Sequence, residues 1–542
     1  MSKQMPSELV YLSMSEMGVL PEIPRVPDEK QPQWHVAGRI ASNAIANIFR
    51  LLSFAVVAIL LPAYLARHLP RDIYNTWVLV IQMGAYVGFL EIGIQTAVSK
   101  FIAEHHASED LHESSKVLTN AALMLCGAGA LGLIVIVVLS FFLKMIMPEI
   151  PANLLGPARI GVIMYGGSLA LALPSAAFAG VFLGLQRNFP VMLLQSVGKF
   201  AFASLVILSI GYHASFLSII SLASGVNLVV AVAQIILTRK AVPQIRFSPR
   251  LAQRRAAITL LKYCSVLAVW SVAMLFVAGL DTTLVAHYEF AATAAYAAAA
   301  SLTSFINAVM SSLLTPMIPA TSALSTQRSP EYLGTVLYRV SRYAGTISLL
   351  SSVPFLLFGF VFLNLWIGHS YAVQGIRFLC ILSIANAIRQ LSLPYAVMVV
   401  GLGKQKLATA SPVIEGVVNL TCSILIARNY GAIGVAYGTL IGAFVGITIH
   451  GLYSMRLTQP VLTISRWKLA VEGVARPGFL ALPALILTPY WIGFQPLSWR
   501  LAVGAVGGTL LIAWFVALDA PGRHALIEFI RGGRNHTAPA VS

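Results

Sequence analysis

Residues 119–143 read TNAALMLCGAGALGLIVIVVLSFFL, twenty-five positions without one charged side chain. A bilayer core is crossed by about 20 apolar residues in an α-helix. No water reaches the backbone there, so each N–H and C=O must bond within its own segment, and a helix does this. The period-two alternation of a barrel strand is missing. The stretch reads as a membrane-spanning helix.

The rest of the chain reads the same way. Of 542 residues, 58% are hydrophobic and 10% charged, with a mean hydropathy of +0.81. Soluble domains carry about 25% charged residues, so a water-soluble enzyme, a disordered chain and a fibrous repeat are excluded. Working outward from 119–143, fourteen spans are expected: 41–66, 74–97, 119–143, 158–183, 190–211, 214–238, 259–285, 292–317, 343–367, 376–400, 407–427, 430–455, 475–493 and 499–518. The expected fold class is an all-α polytopic membrane protein. Residues 1–40 are polar and proline-bearing, lack the apolar core of a secretory signal, and read as a disordered cytoplasmic arm.

Basic residues set the orientation. With the N-terminus cytoplasmic, the inside segments hold 26 Lys and Arg and the outside loops 7. The formal net charge of +17 therefore follows from cytoplasmic loops, with no call for nucleic acid as partner. Both termini are expected in the cytoplasm, and 519–542 forms a cytoplasmic tail.

Spans one to six (41–238) and seven to twelve (259–455) read as two parallel copies of one unit, joined by a basic cytoplasmic linker at 239–258 and followed by two extra helices in 475–518. The echo is Gly184-Leu185-Gln186-Arg187 against Gly401-Leu402-Gly403-Lys404, each in a short turn before a helix that ends at Gly211-Tyr212 or Tyr430-Gly431. Parallel halves of this kind enclose a site near the midplane.

Three basic residues remain inside the spans: Arg50 with Asn43 and Asn47, Lys199 with Gln195, and Arg389 with Asn386 and Gln390. A charge facing lipid costs at least about 2.5–3.5 kcal/mol, so these groups point to an anion-receptive cavity. Snorkelling is the alternative for Arg50 and Lys199. Three acids are also intramembrane. Glu415 lies in a stripe with Ser411, Asn419 and Ser423, which suits a proton or a sodium ion, or a structural pair with Arg389. Asp281 is a second ion-coupling candidate or a helix cap. Glu91, near Gln95, is a third candidate or a headgroup-level carboxylate.

No GxxxxGK[ST], HExxH, CxxC or GxSxG motif occurs, so no nucleotide-driven pump, metal centre or hydrolase triad is indicated, and no cofactor is expected. Cys126, Cys264, Cys380 and Cys422 sit in apolar runs and read as small core residues. The outside loops are short, whereas a membrane polymerase or ligase is expected to present a large one.

Leu61-Pro62-Ala63-Tyr64-Leu65-Ala66-Arg67-His68-Leu69, Ile73-Tyr74-Asn75-Thr76-Trp77-Val78 and Phe89-Leu90-Glu91-Ile92-Gly93-Ile94-Gln95-Thr96-Ala97 resemble the opening of the polysaccharide-transporter branch of the multidrug/oligosaccharidyl-lipid/polysaccharide (MOP) flippase superfamily. Leu280-Asp281-Thr282-Thr283-Leu284-Val285, Tyr296, Leu314-Thr315-Pro316, Glu415 to Leu420 and Tyr430 to Thr439 continue the resemblance, which covers about residues 35–455. Glu91 stands where that branch more often has Asp, and Asn75 where Gly is common. The resemblance implies two MATE-like six-helix bundles in a V, and a flippase that moves a polyprenyl-diphosphate-linked oligosaccharide across the inner membrane by alternating access for cell-surface or exopolysaccharide synthesis. On that reading Arg50, Lys199, Arg389, Asn47, Asn386 and Gln390 meet the diphosphate and sugar. Glu415, Asn419, Asp281 and Glu91 are the ion-coupling candidates. Its partners are the lipid-linked oligosaccharide, membrane lipid and other polysaccharide-assembly proteins. The alternatives are a cation-coupled multidrug exporter of the same superfamily and a membrane-embedded polymerase or ligase.

Overall fold

The structure, a computed structural model, describes Ser53, residues 56–107, 110–487 and 499–517, and Arg523. The arm 1–40, Asn43, Asn47 and Arg50, and the tail 519–542 apart from Arg523 lie outside the described residues. Each of the fourteen expected spans contains described helix. In chain order the apolar helices are α1 (Val56–His68), α2 (Arg71–His106), α3 (Leu111–Phe141), α4 (Ala152–Ala172), α5 (Ser175–Gly184), α6 (Phe189–Gly211), α7 (Phe216–Ala241), α8 (Leu267–Tyr288, continuing a helix that starts at Arg254), α9 (Phe290–Gln327), α10 (Pro330–Ile367), α11 (His369–Gly401), α12 (Gln405–Tyr430), α13 (Ala432–Leu457), α14 (Arg466–Ile486) and α15 (Val503–Phe515). Twelve of these are long and apolar enough to cross a membrane; α1, α5 and α15 are shorter.

Local chemistry sets the ends. Asp110 accepts the Glu113 N–H at 2.9 Å ahead of α3, Ser215 accepts from Ser218 at 3.3 Å ahead of α7, and Ser329 accepts from Tyr332 at 3.4 Å ahead of α10. Such caps satisfy amides that a first turn leaves unpaired. Pro174 divides the expected span 158–183 into α4 and α5, because proline removes a backbone donor. Helix α14 begins nine residues before its expected start, since Ser465 caps it and its first half packs on α10. There a Cβ on Gly345 would stand 3.0 Å from the Gly473 carbonyl oxygen.

The two halves end corresponding helices alike. After α5, Gln186 donates to Leu183 O at 3.1 Å and Arg187 to Phe182 O at 2.9 Å. After α11, Gly403 donates to Val400 O at 2.9 Å and Lys404 to Val399 O at 3.0 Å. Both turns pass through a left-handed residue, Gln186 (φ 55°) or Gly403 (φ 67°), the arrangement that closes a helix by reaching back over its last carbonyls. The segment 239–258 is more than a linker: Arg246, Ser248 and Gln253 donate their N–H groups to Ser115, Thr119 and Asn120 of α3 at 3.0–3.2 Å. It lies strapped along the first half.

Hydrogen bonds between the halves gather toward one end of the bundle. Arg71 donates to Ala291 O at 3.0 Å and to Gln374, Ala294 N to Asn75 Oδ1 at 2.9 Å, Trp366 Nε1 to Ile59 O at 2.6 Å, and Phe290 N to Glu149 Oε2 at 2.9 Å. One buried apolar core is shared by both halves and runs on to Leu260 and Cys264 at the opposite end, whereas the second half has a core of its own around Met310, Leu337, Tyr395, Met398 and Leu462. At the opposite end the helix that starts at Arg254 and continues into α8 bridges the halves, with Tyr263 edge-on to Phe101 at 5.8 Å.

Candidate functional site

Helix α12 carries Ser411, Glu415, Asn419, Ser423 and Ala427 at intervals of four, and α13 carries Gly446, Gly442, Gly438 and Gly434 at the same interval. Four-residue spacing keeps each set on one helix face. The two faces are pressed together in antiparallel order. A Cβ on Gly446 would run into the Glu415 carboxylate, one on Gly442 would lie 2.8 Å from Asn419 Cβ, and one on Gly438 2.5 Å from Ser423 N. Glycine lets the backbones approach so closely that the polar stripe is sealed by a helix. Ser411 Oγ donates to Gly446 O at 2.7 Å across it.

Two clusters lie along this seam. In the first, Arg389 of α11 donates from Nε to Glu415 Oε1 at 2.7 Å, with a quarter of the arginine side chain exposed. The buried Arg389 Nη2 has no partner among the described residues, and neither does Nδ2 of buried Asn386 one turn earlier. Gln390 donates to Asn307 Oδ1 of α9 at 2.8 Å.

The second cluster surrounds Asp281, only 5% exposed. Its Oδ2 accepts from Thr439 Oγ1 at 2.9 Å and Tyr296 OH at 3.2 Å, and its Oδ1 from Asn419 Nδ2 at 3.4 Å. The π-helical turn Leu275–Gly279 leaves carbonyls free, and Asn419 Nδ2 donates to Val277 O at 2.7 Å and Phe276 O at 3.0 Å. Ser423 Oγ donates to Asn419 Oδ1 at 3.1 Å and Val435 O at 3.3 Å. The set is rich in oxygen, the ligand type that hard cations take, around one carboxylate able to hold a proton. Groups of three His, Cys, Asp or Glu that would hold a transition metal are missing among the described residues.

The other expected residues fall elsewhere. Lys199 is half-buried on α6 in the first half, where Phe202 of the same helix meets Trp77 of α2 with ring centroids 6.2 Å apart. Glu91 ends the 3₁₀ turn Tyr86–Glu91 that interrupts α2, and its Oε1 accepts the Gln95 N–H at 2.7 Å, the role of a cap. Thr439, Tyr296 and the α13 glycines received no site role from the sequence alone. The glycine period of four was the available signal.

No protein-family model matches the chain, and no curated protein matches it. Solved structures do. The chain is similar to the lipid II flippase MurJ in an inward closed conformation, with a TM-score of 0.63 and 13% identity over 91% of this chain and 98% of that one. It is similar to an inward-facing multidrug resistance MATE family transporter of the MOP superfamily, at 0.56 and 16% over 77% and 95%. A MOP superfamily transporter from Pyrococcus furiosus, whose structure is described by a binding pocket of reversed polarity, gives 0.55 and 15% over 78% and 96%. The chain has the polytopic all-α fold of these MOP superfamily membrane transporters.

Proposed function

We propose that the chain is a flippase that carries a polyprenyl-diphosphate-linked oligosaccharide across the inner membrane by alternating access, a transporter rather than an enzyme. The observation that carries the reading is Arg389, an intramembrane guanidinium with one edge on Glu415 and Nη2 unpartnered, beside the unpartnered Nδ2 of Asn386. Charge-assisted bonds to phosphate oxygens are strong where water is scarce, and these donors supply them. Lys199, Arg50, Asn47 and Gln390 complete the proposed headgroup contacts. The match to the lipid II flippase covers 91% of this chain against 77% for the MATE transporter, which favours a lipid-linked substrate over a drug.

With the basic loops in the cytoplasm, the Arg71 end faces outward, and both termini lie inside. Asp281 and Asn419 hold the coupling ion, a proton or a monovalent cation, and Glu415 answers to it through Arg389. Glu91 is kept as the coupling candidate of the first half. An ion shifts the two states only by its differential affinity for them. The test is R389A in cells: cytoplasm-facing lipid-linked sugar should accumulate at normal protein level. Unchanged export removes Arg389 from the site, and drug resistance lost with export intact favours the exporter.

A further inference from the structure

Beyond Glu415 the α12–α13 seam runs on to a group with no role so far. His450 of α13 is 7% exposed and opens a π-helical turn, His450–Ser454. Among the described residues its Nδ1 has no hydrogen-bond partner, nor does the buried Ser454 hydroxyl. The imidazole stands edge-on to the Tyr395 ring of α11, centroids 5.4 Å apart, and the Tyr395 hydroxyl pairs with Thr458 at 3.0 Å. A buried polar atom left without a partner is costly and needs an explanation, and π-helical turns inside α-helices concentrate at functional positions.

Gly446 lies one turn before His450 on the same face, and the Glu415 carboxylate rests against Gly446. The carboxylate held by Arg389 is thus about one helical turn from an imidazole with a free nitrogen. The other titratable or charged groups on the elements packed here are Tyr395, Lys404 and Lys406 at the start of α12, and Arg456 on α13; the three cations are exposed.

We infer that His450 binds a proton during transport and exchanges Glu415 with Arg389. With neutral His450, Glu415 stays on Arg389. A proton taken from water onto Nδ1 makes the imidazolium a second cation for Glu415, and the guanidinium is released to a diphosphate. Loss of that proton to water restores the first pairing, and no other bond is made or broken. The exchange rests on the reading of Arg389 as the phosphate partner, so two readouts are needed.

The first uses no substrate. Full-length protein with ¹⁵N-histidine is placed in liposomes, and the His450 signal is identified by its loss in H450Q, or in H450N should H450Q fail to fold. It should gain a proton as the pH is lowered from about 8 to about 4, a range that reaches below the ordinary imidazole value. The midpoint should move in R389Q/E415Q, which strands no charge. A His450 that stays neutral throughout, or a midpoint that does not move, overturns the inference. The second readout is binding of farnesyl diphosphate to purified protein. Acidification should strengthen it at least about fivefold, the lower end of coupling between two sites, and H450Q should flatten that profile. The same profile in H450Q overturns the inference. Absence of diphosphate binding at every pH, with the first readout positive, sinks the substrate reading and leaves the exchange supported.

Discussion

Arg389 on α11 and Glu415 on α12 form an ion pair of 2.7 Å within the second half of the membrane bundle, and the pair leaves Nη2 of the arginine unpartnered among the described residues. Both residues are ionisable groups that lipid penalises, so each explains the presence of the other. The pair is at once a packing device and a source of a cationic donor.

Its energetics are open to a double-mutant cycle. Breaking a buried pair from one side costs about 3–5 kcal/mol, and the quarter exposure of Arg389 brings our expectation for E415Q to about 2 kcal/mol. R389Q/E415Q should lose less than the two single variants together. Thermal unfolding in detergent reads this, and strict additivity would show the two groups to be uncoupled.

The glycine face of α13 should tolerate no side chain. G438A forces a methyl against Ser423 N, 2.5 Å away, and overpacking costs about 1–3 kcal/mol. Gly127 on α3 has nothing within 4 Å of a would-be Cβ, so G127A should be neutral or slightly stabilising. Equal melting of the two variants would contradict the close approach of α12 and α13.

The matched turns after α5 and α11 differ at the left-handed position and in Arg187 against Lys404. Gln186 holds φ 55° where Gly403 holds 67°, and the left-handed conformation costs a side-chain-bearing residue about 1 kcal/mol. Q186G should therefore raise the melting temperature. G403Q should lower it by a similar amount. A fall for Q186G would place the contacts of the Gln186 side chain above its backbone strain.

Ahead of α3, the Glu113 N–H bonded to Asp110 holds that carboxyl below its usual range, with His105 and His112 adding to the effect. The folded value lies below the unfolded one of about 3.9. The cap therefore contributes fully above that value and is lost as pH falls through the folded one. Amide exchange over 111–114 should quicken in that acid window in the wild type and stay unchanged in D110N, whose amide oxygen caps without titrating. An identical acid response in both would dissociate the start of α3 from Asp110.

Much of this architecture is local and was readable along the chain. Spans follow from runs such as 119–143, because lipid demands helix from any apolar segment long enough to cross it. The repeat follows from Gly184 and Gly401, because each half closes corresponding helices by the same backbone bonds. The Glu415 stripe was visible as a period of four. What faced it was not: whether an aqueous cavity, Arg389 or the α13 glycines covered that face depends on which helices are neighbours, and periodicity says nothing of neighbours. The Asp281 cluster draws on α8, α9, α12 and α13, and His450 acquires meaning from Tyr395 on α11 and Glu415 on α12. Sequence alone determined that these helices exist, since that is a matter of solvent. Tertiary structure decided which polar atoms are paired and which are left over, since that depends on distances between helices far apart in the chain.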